Sequence, residues 1–251
     1  LRRLRGKVIS MIFQDPAESL NPVLTIGEQI TETMRLHLKM PAHEAEERAS
    51  LLLGQVGLSE IKLKSYPHEL SGGMNQRVMI AMALSCNPKI LIADEPTSAL
   101  DVMTQFSFLK LLMSLRNKKE MSMIFITHDM GVVSEIADRI VVMYAGKVME
   151  KGGVFQIFDN PRHPYTIGLL GCLPNITGNR KRTLTPIRGA IPSLIDPPPG
   201  CVFHPRCSFA KDICNKAAPD EATVEEGHFS ACHFWDDSSV ITAMEEVKSD
   251  R

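Results

Sequence analysis

Apolar residues along the chain fall into two patterns: short continuous runs, and stripes that recur every third or fourth position. Val8 to Phe13 is a β-rich run ending in the polar break Gln14-Asp15-Pro16, which predicts a strand delivering Gln14 to a loop. Ile26, Ile30, Met34 and Leu38 then follow helical spacing. Ala45, Ala49, Leu52 and Val56 make a second stripe that begins after Pro41 and stops at Gly57. After the loop Ser65-Tyr66-Pro67-His68, the triplet Ser71-Gly72-Gly73 leads into a helix from about Met74 to Ser85, ended by Asn87-Pro88. Residues 20–87 or so therefore read as a helical insertion.

The runs Ile90-Leu91-Ile92-Ala93 and Met123-Ile124-Phe125-Ile126 are continuously apolar, as expected of parallel strands covered on both faces. A helix from about Val102 to Lys118, with Asp101 as its N-cap, separates them, and the order is that of a βαβ unit in an α/β fold. In such sheets the working residues sit just past the carboxyl ends of the strands. Those ends carry Asp94-Glu95 and Thr127-His128. A hairpin follows, Arg139 to Tyr144 and Lys147 to Glu150, joined at Ala145-Gly146. From Pro161 the character changes. Prolines, including Pro197-Pro198-Pro199, predict an extended linker to a cysteine-rich C-terminal part, giving a division into residues 1–160 and 161–251. No internal repeat is present.

Composition narrows the function classes. The 28 basic and 29 acidic residues nearly cancel, so no global field favours nucleic acid or anionic lipid, and any partner is recognised locally. No apolar run approaches the roughly 18 residues needed to cross a bilayer, and the basic start Leu1 to Gly6 lacks a signal-peptide core. The expectation is a cytoplasmic protein. A first residue of Leu in place of Met points to a truncated sequence, an unusual start codon or a damaged gene.

An apolar strand ending in Asp94-Glu95 suits nucleotide hydrolysis, because one carboxylate can hold Mg²⁺ while the next faces the attacking water; alone, it is equally a strand with solvated acids at its end. The octet Leu70-Ser71-Gly72-Gly73-Met74-Asn75-Gln76-Arg77 is more specific. Its glycines let backbone N–H groups approach a phosphate, Ser71 can donate a hydroxyl hydrogen bond, and the helix offers its positive end. This octet resembles the signature sequence of ABC ATPases. Gln14 in Phe13-Gln14-Asp15-Pro16 resembles that family's Q-loop, Ser98-Ala99-Leu100-Asp101 its D-loop, and Thr127-His128-Asp129 its switch-histidine segment. The segment Pro161-Arg162-His163-Pro164-Tyr165-Thr166 and the later cysteines narrow the resemblance to the ATPase subunits of dipeptide and oligopeptide importers, some relatives of which carry nickel or other small solutes.

The resemblance implies roles for individual residues. Asp94 helps hold Mg²⁺, Glu95 polarises the water, His128 contacts the γ-phosphate, and Gln14 links metal and water to a membrane subunit. Ser71, Gly72, Gly73 and Gln76 of the signature, with Asp101 of the D-loop, lie toward ATP bound on an opposite ATPase subunit. It implies two membrane-spanning permease subunits, a periplasmic or extracellular peptide-binding protein, a location on the cytoplasmic face of the inner membrane, and no nucleic acid. After Asp101 the family's small residue is replaced by Phe106, which puts local helix packing in question.

One element of the family is missing from these residues. No segment fits Gly-x-x-x-x-Gly-Lys-Ser/Thr; Gly6-Lys7 is followed by Val8. The expectation is an incomplete P-loop NTPase domain, impaired in binding ATP by itself and exposing apolar surface where strand and helix are missing. A degenerate, non-catalytic protein that docks on transporter subunits is the alternative.

Of six cysteines, Cys201, Cys207, Cys214 and Cys232 cluster, separated by five, six and seventeen residues. Four thiolates suit tetrahedral zinc, a four-iron four-sulfur cluster, or simply four free buried cysteines. The context Gly200-Cys201 and Pro205-Arg206-Cys207 resembles the peptide-importer extension, in which some members hold such a cluster. His204 and His233 are further candidate ligands or surface histidines. Cys86 and Cys172 read as structural, each in an apolar helix.

Overall fold

The structure, a computed structural model, describes residues 4–15, 19–98, 100–173 and 186–249. Leu1, and within the motifs above Pro16 and Ala99, lie outside the described residues, as does the 174–185 portion of the proline-containing segment. The chain divides into two compact units, Leu1–His128 and Asp129–Arg251.

The first unit is built on a parallel sheet of β1 (Ile9–Ile12), β2 (Ile90–Asp94) and β3 (Ser122–Ile126), in that spatial order. Among the described residues, three long α-helices lie between β1 and β2 in sequence. Helix α1 (Ile26–Leu38) opens with a capping box in which the Thr25 side chain accepts the Glu28 N–H while Glu28 accepts the Thr25 N–H. It buries Ile26, Ile30 and Met34, and ends at Lys39 in the left-handed region. Helix α2 (Ala42–Gln55) buries Ala45, Ala49 and Leu52, and the chain turns out of it through Gly57 at φ +75°. Helix α3 (Gly72–Leu84) is apolar nearly all round, as a helix packed on several sides must be. It contacts α1, α2, β1 and α4 (Val102–Lys119), the crossover from β2 to β3. Arg77 of α3 donates to the Val56 carbonyl at 2.6 Å, fixing α3 against the end of α2.

The sheet corrects one expectation. Its register aligns Ile12 with Ala93 and Phe125, and Ser10 with Leu91 and Met123, on one face, where Ile12, Leu91 and Ala93 are buried. The opposite face carries Met11, Ile92 and Ile124, and there Ile124 is 54% exposed; Ile126 is 45% exposed. Continuous apolarity signalled a sheet made to be covered on both faces, but the described residues cover only one. Phe106 does not disturb helix packing. It sits at the surface of α4 with the Lys110 ammonium 4.3 Å from its ring centre.

The second unit begins with α5 (Met130–Ile136) and the hairpin β4 (Arg139–Tyr144) and β5 (Lys147–Gly153). Ala145 and Gly146 both have positive φ, 47° and 75°, the backbone a tight two-residue hairpin turn requires. β5 also pairs with β7 (His228–Ser230), and β7 with β6 (Ala222–Glu225), giving an antiparallel sheet of order β4-β5-β7-β6. Helices α6 (Val154–Asp159), α7 (Pro164–Gly171) and α8 (Ser238–Ser249) complete it. The units part at residue 128 while the sequence suggests 160, because β5 of the hairpin finds its second partner, β7, far along the chain. Part of the expected linker is helical: Pro164 opens α7 at a position where its missing N–H costs nothing.

Candidate functional site

Three strand ends bring Gln14, Asp94, Glu95 and His128 together in the first unit. Glu95 follows β2 and takes a left-handed backbone, φ 41°, uncommon for a residue with a side chain. Its N–H donates to the Ile126 carbonyl at 2.9 Å, which locks the turn after β2 onto the end of β3. The carboxylate is held at both oxygens. Gln14 Nε2 donates to Oε2 at 3.3 Å, and His128 Nδ1 lies 3.1 Å from Oε1. The arrangement is open to solvent, with the His128 side chain 77% exposed and that of Glu95 28% exposed. Asp94 lines a shallow hollow with Phe13, Gln14, Asp15 and Ser19. A carboxylate poised between an amide and an imidazole, beside a second carboxylate, can polarise a water next to a bound cation.

The start of α3 forms a second exposed feature of this unit. Ser71 caps the helix, accepting the Met74 N–H at 3.4 Å, and Ser71 and Gly72 are both exposed. A Cβ placed on Gly72 would meet nothing within 4 Å. The glycine is therefore not required by packing within the chain; what it leaves is unobstructed backbone at a helix N-terminus. Gly73 lies beside α4, its virtual Cβ 3.5 Å from Thr104 Cγ2. That brings the start of α4 to the same place, with Asp101 capping it through the Met103 and Thr104 N–H groups, both at 3.1 Å. Hydrogen bonds from Thr104 hold the Asp101 carboxyl below its usual range. Val102 and Met103 next to it are 80% and 75% exposed. Gln76 does not join this surface. It is 2% exposed and points into the unit, its Oε1 without a partner.

In the second unit Cys201, Cys207, Cys214 and Cys232 all border one small cavity, closed further by Phe203, Phe209 and Phe234 and touched by His163, His204 and His233. Gly200 makes the approach possible. With φ at +70° its virtual Cβ would stand 2.4 Å from the Cys214 carbonyl oxygen, and Cys201 N–H donates to that same oxygen at 2.8 Å. Burial pushes the Cys207 thiol up to about 11 and the Cys232 thiol up to about 12. Among the described residues no three His, Cys, Asp or Glu side chains are gathered to hold a metal ion; the four thiols surround a space and do not meet at a point. Cys86 and Cys172 stand apart from this group, just past the ends of α3 and α7, correcting their expected place within those helices.

Residues 2–98 match the family described as ABC transporter, and residues 149–214 match the oligopeptide/dipeptide transporter C-terminal region. A putative peptide import ATP-binding protein of Brucella abortus is 51% identical over 242 residues, which cover 94% of this chain and 72% of that protein. The oligopeptide transport ATP-binding protein AppD of Bacillus subtilis is 52% identical over 237 residues, with the same coverage of 94% and 72%. This chain belongs to the ABC transporter family of peptide import ATP-binding proteins. Among solved structures, the ATP-binding cassette MJ0796, in a dimeric post-hydrolysis state bound to ADP and Pi, superposes with a TM-score of 0.54 at 32% identity. The match covers 61% of this chain, and the chain spans 66% of that cassette. CbiO1 of Clostridium perfringens gives the same score and identity over 59% of its length. No helix among the described residues is long and apolar enough to cross a membrane.

The second unit contains a polar network that sequence reasoning missed. Glu150 of β5 is 1% exposed and accepts the Arg162 N–H at 2.6 Å and the His163 N–H at 3.1 Å, and its Oε1 lies 2.8 Å from His228 Nε2. His228 is itself fully buried, with Glu225 Oε1 3.7 Å from its other ring nitrogen. His163 Nδ1 accepts the Tyr165 N–H at 3.0 Å as the cap of α7, and burial lowers its pKa to about 3. The signal available in sequence was weak: a Glu in a strand and two histidines far apart, whose proximity only the β5–β7 pairing creates.

Proposed function

We propose that this chain is the energy-coupling ATPase subunit of a peptide-importing ABC transporter, working on the cytoplasmic face of the inner membrane. The observation that carries this reading is Glu95 held between Gln14 and His128, in a unit that also exposes Ser71 and Gly72 on an unobstructed helix start. Its partners are a second ATPase subunit, two membrane-spanning permease subunits, and a peptide-binding protein outside the membrane. The near-zero net charge gives no global field that favours nucleic acid.

In this reading Glu95 orients and polarises the attacking water, Gln14 and His128 keep its carboxylate aimed, and Asp94 helps hold Mg²⁺. Mg²⁺, when bound with ATP, neutralises charge that develops on the phosphates. Ser71 and the N–H groups at Gly72 and Gly73 face ATP carried by the opposite subunit, and exposed Val102 and Met103 beside Asp101 supply apolar contact for that subunit.

The 251 residues contain no phosphate-cradling Gly-x-x-x-x-Gly-Lys-Ser/Thr segment. Each charge-assisted hydrogen bond such a loop makes is worth about 1.5–3 kcal/mol, so lacking several weakens ATP binding by many powers of ten. By themselves these residues neither bind nor hydrolyse ATP efficiently, and the half-exposed Ile124 and Ile126 mark the sheet face that is short of a cover. Calorimetric titration with Mg-ATP tests this: micromolar binding by the 251-residue chain contradicts it.

The four cysteines that line one cavity support a reading in which they hold a four-iron four-sulfur cluster, with tetrahedral zinc as the alternative. Cys201, Cys207, Cys214 and Cys232 would hold the cluster; bound, it would tie together loop segments from three parts of the second unit. Anaerobic purification with iron and sulfide assays tests the assignment, and stoichiometric zinc without iron refutes it.

A further inference from the structure

Helix α4 has two apolar faces, and only one of them belongs to the core of its own unit. Phe108, Leu109, Leu112 and Leu115 are buried. Val102, Met103 and Phe106 lie on the other side of the helix and are 80%, 75% and 43% exposed. Val102, Phe106 and Lys110 follow one another at intervals of one helical turn and form a single stripe, with Met103 beside it. Past Phe106 the exposed positions turn polar, through Ser107, Lys110, Ser114 and Asn117. The exposed apolar residues are therefore confined to the start of α4, next to its cap Asp101. The start of α3 lies there too, since the virtual Cβ of Gly73 is 3.5 Å from Thr104 Cγ2. Single apolar residues scattered over a surface need no partner, whereas a group of three beside a surface already turned toward another molecule marks a contact.

Charge narrows what that contact is with. None of the 18 residues of α4 is Asp or Glu, and the Lys110 ammonium rests over the Phe106 ring at 4.3 Å from its centre. The strand ends of the same unit are the reverse: Asp15 follows β1, and Asp94 and Glu95 end β2. When two subunits pair so that the helix starts of one face nucleotide held at the strand ends of the other, a cationic and apolar stripe approaches acidic surface. A cation over an aromatic face also gains strength when a partner removes the water around it. Phe106 itself stands where the family pattern has a small residue, yet its ring stays at the surface and fills no gap in the core.

We propose that Val102, Met103, Phe106 and Lys110 form a latch that holds the second ATPase subunit without nucleotide, alongside the ATP-bridged contact and independent of it. The inference rests on the reading that two such subunits pair. Phe106 is the apolar anchor of the latch, and Lys110 favours a partner that presents a carboxylate opposite it. A chain that brings no phosphate-cradling loop of its own is kept in place by such a latch before ATP arrives on the partner.

The test measures binding of the full chain to an intact relative, AppD of Bacillus subtilis, by sedimentation velocity, first with nucleotide removed by apyrase and then with Mg-ATPγS. The parent is compared with Phe106→Ala, Lys110→Glu and Lys110→Arg. Both residues are exposed, so the unfolding midpoints of the variants are expected to match the parent, which separates lost binding from lost fold. The expected result is nucleotide-free binding by the parent, weakened at least about tenfold in Phe106→Ala and in Lys110→Glu, and near-parental in Lys110→Arg, which keeps the charge over the ring. Added salt is expected to weaken the parent more than Lys110→Glu. Binding that requires Mg-ATPγS and is equal for all variants overturns the latch and leaves the pairing of subunits standing. No binding in either condition overturns both. Self-association of the chain with no binding to AppD gives this face to a second copy and overturns the assignment.

Discussion

The two units treat their polar residues in opposite ways. At the strand ends of the first unit, Glu95 and His128 meet at 3.1 Å with the imidazole 77% exposed, and the helix start at Ser71 and Gly72 faces solvent. In the second unit, Glu150, His163 and His228 are all at most 1% exposed, and Glu150 has three close partners. The first arrangement is unfinished in the sense that its geometry makes use only of what arrives from outside. The second is closed and serves the chain itself, apart from the cavity it walls. Exposure thus separates residues open to another molecule from residues that hold their own unit together.

Substitution should expose that difference. Glu150→Ala leaves two backbone N–H groups and His228 without their acceptor, and is expected to cost about 3–5 kcal/mol in denaturant unfolding, with the second unit losing structure first. Glu95→Gln, by contrast, should stay within about 0.5 kcal/mol of the parent, because its contacts lie at the surface. A comparable loss at both positions would erase the distinction.

Acid should sharpen it. His163 is held neutral by burial, with a folded pKa of about 3 against an ordinary 6.5, so between those values the unfolded chain binds the extra proton. Stability is fully present above pH 6.5 and declines as pH falls toward 3, by about 1.4 kcal/mol for each unit well inside the window. Unfolding midpoints measured from pH 7 to 4 should fall less steeply for His163→Leu than for the parent. Gly200→Ala forces a side chain into the Cys214 carbonyl at positive φ and is expected to cost about 2 kcal/mol, read by thermal unfolding. A smaller loss is expected of Ser71→Ala, which removes a 3.4 Å cap and should cost about 0.5–1 kcal/mol.

Much of the first unit was legible from sequence because its signals are long and local. Four apolar residues at helical spacing define α1, and two continuous apolar runs separated by one helix define β2 and β3 together with the residues at their ends. Asp94, Glu95, His128 and Gln14 follow from strand direction alone. Gln76 was not placed correctly by pattern, since α3 is apolar nearly all round and offers no polar face to orient it. The second unit was read poorly for a physical reason. Its strands β6 and β7 are four and three residues long, and β7 gains meaning only by pairing with β5, as Lys151 does with Phe229. Prolines around Pro161 suggested a linker, although Pro164 starts a helix. The importance of Glu150 was invisible, because a lone Glu in a hairpin strand reads as solvent-facing until its partners are known.

The central claim is that the first unit presents one half of a nucleotide clamp shared between subunits. It is tested most directly by mixing this chain with an intact peptide-import ATP-binding protein whose own signature serine has been replaced, and measuring phosphate release from ATP. The account predicts that release appears on mixing, falls at least about 100-fold with Gly72→Asp in this chain, and survives Glu95→Gln, since ATP is then held by the partner's loop and faces only this chain's helix start. Release that Gly72→Asp leaves untouched, or no release from the mixture at all, would contradict it.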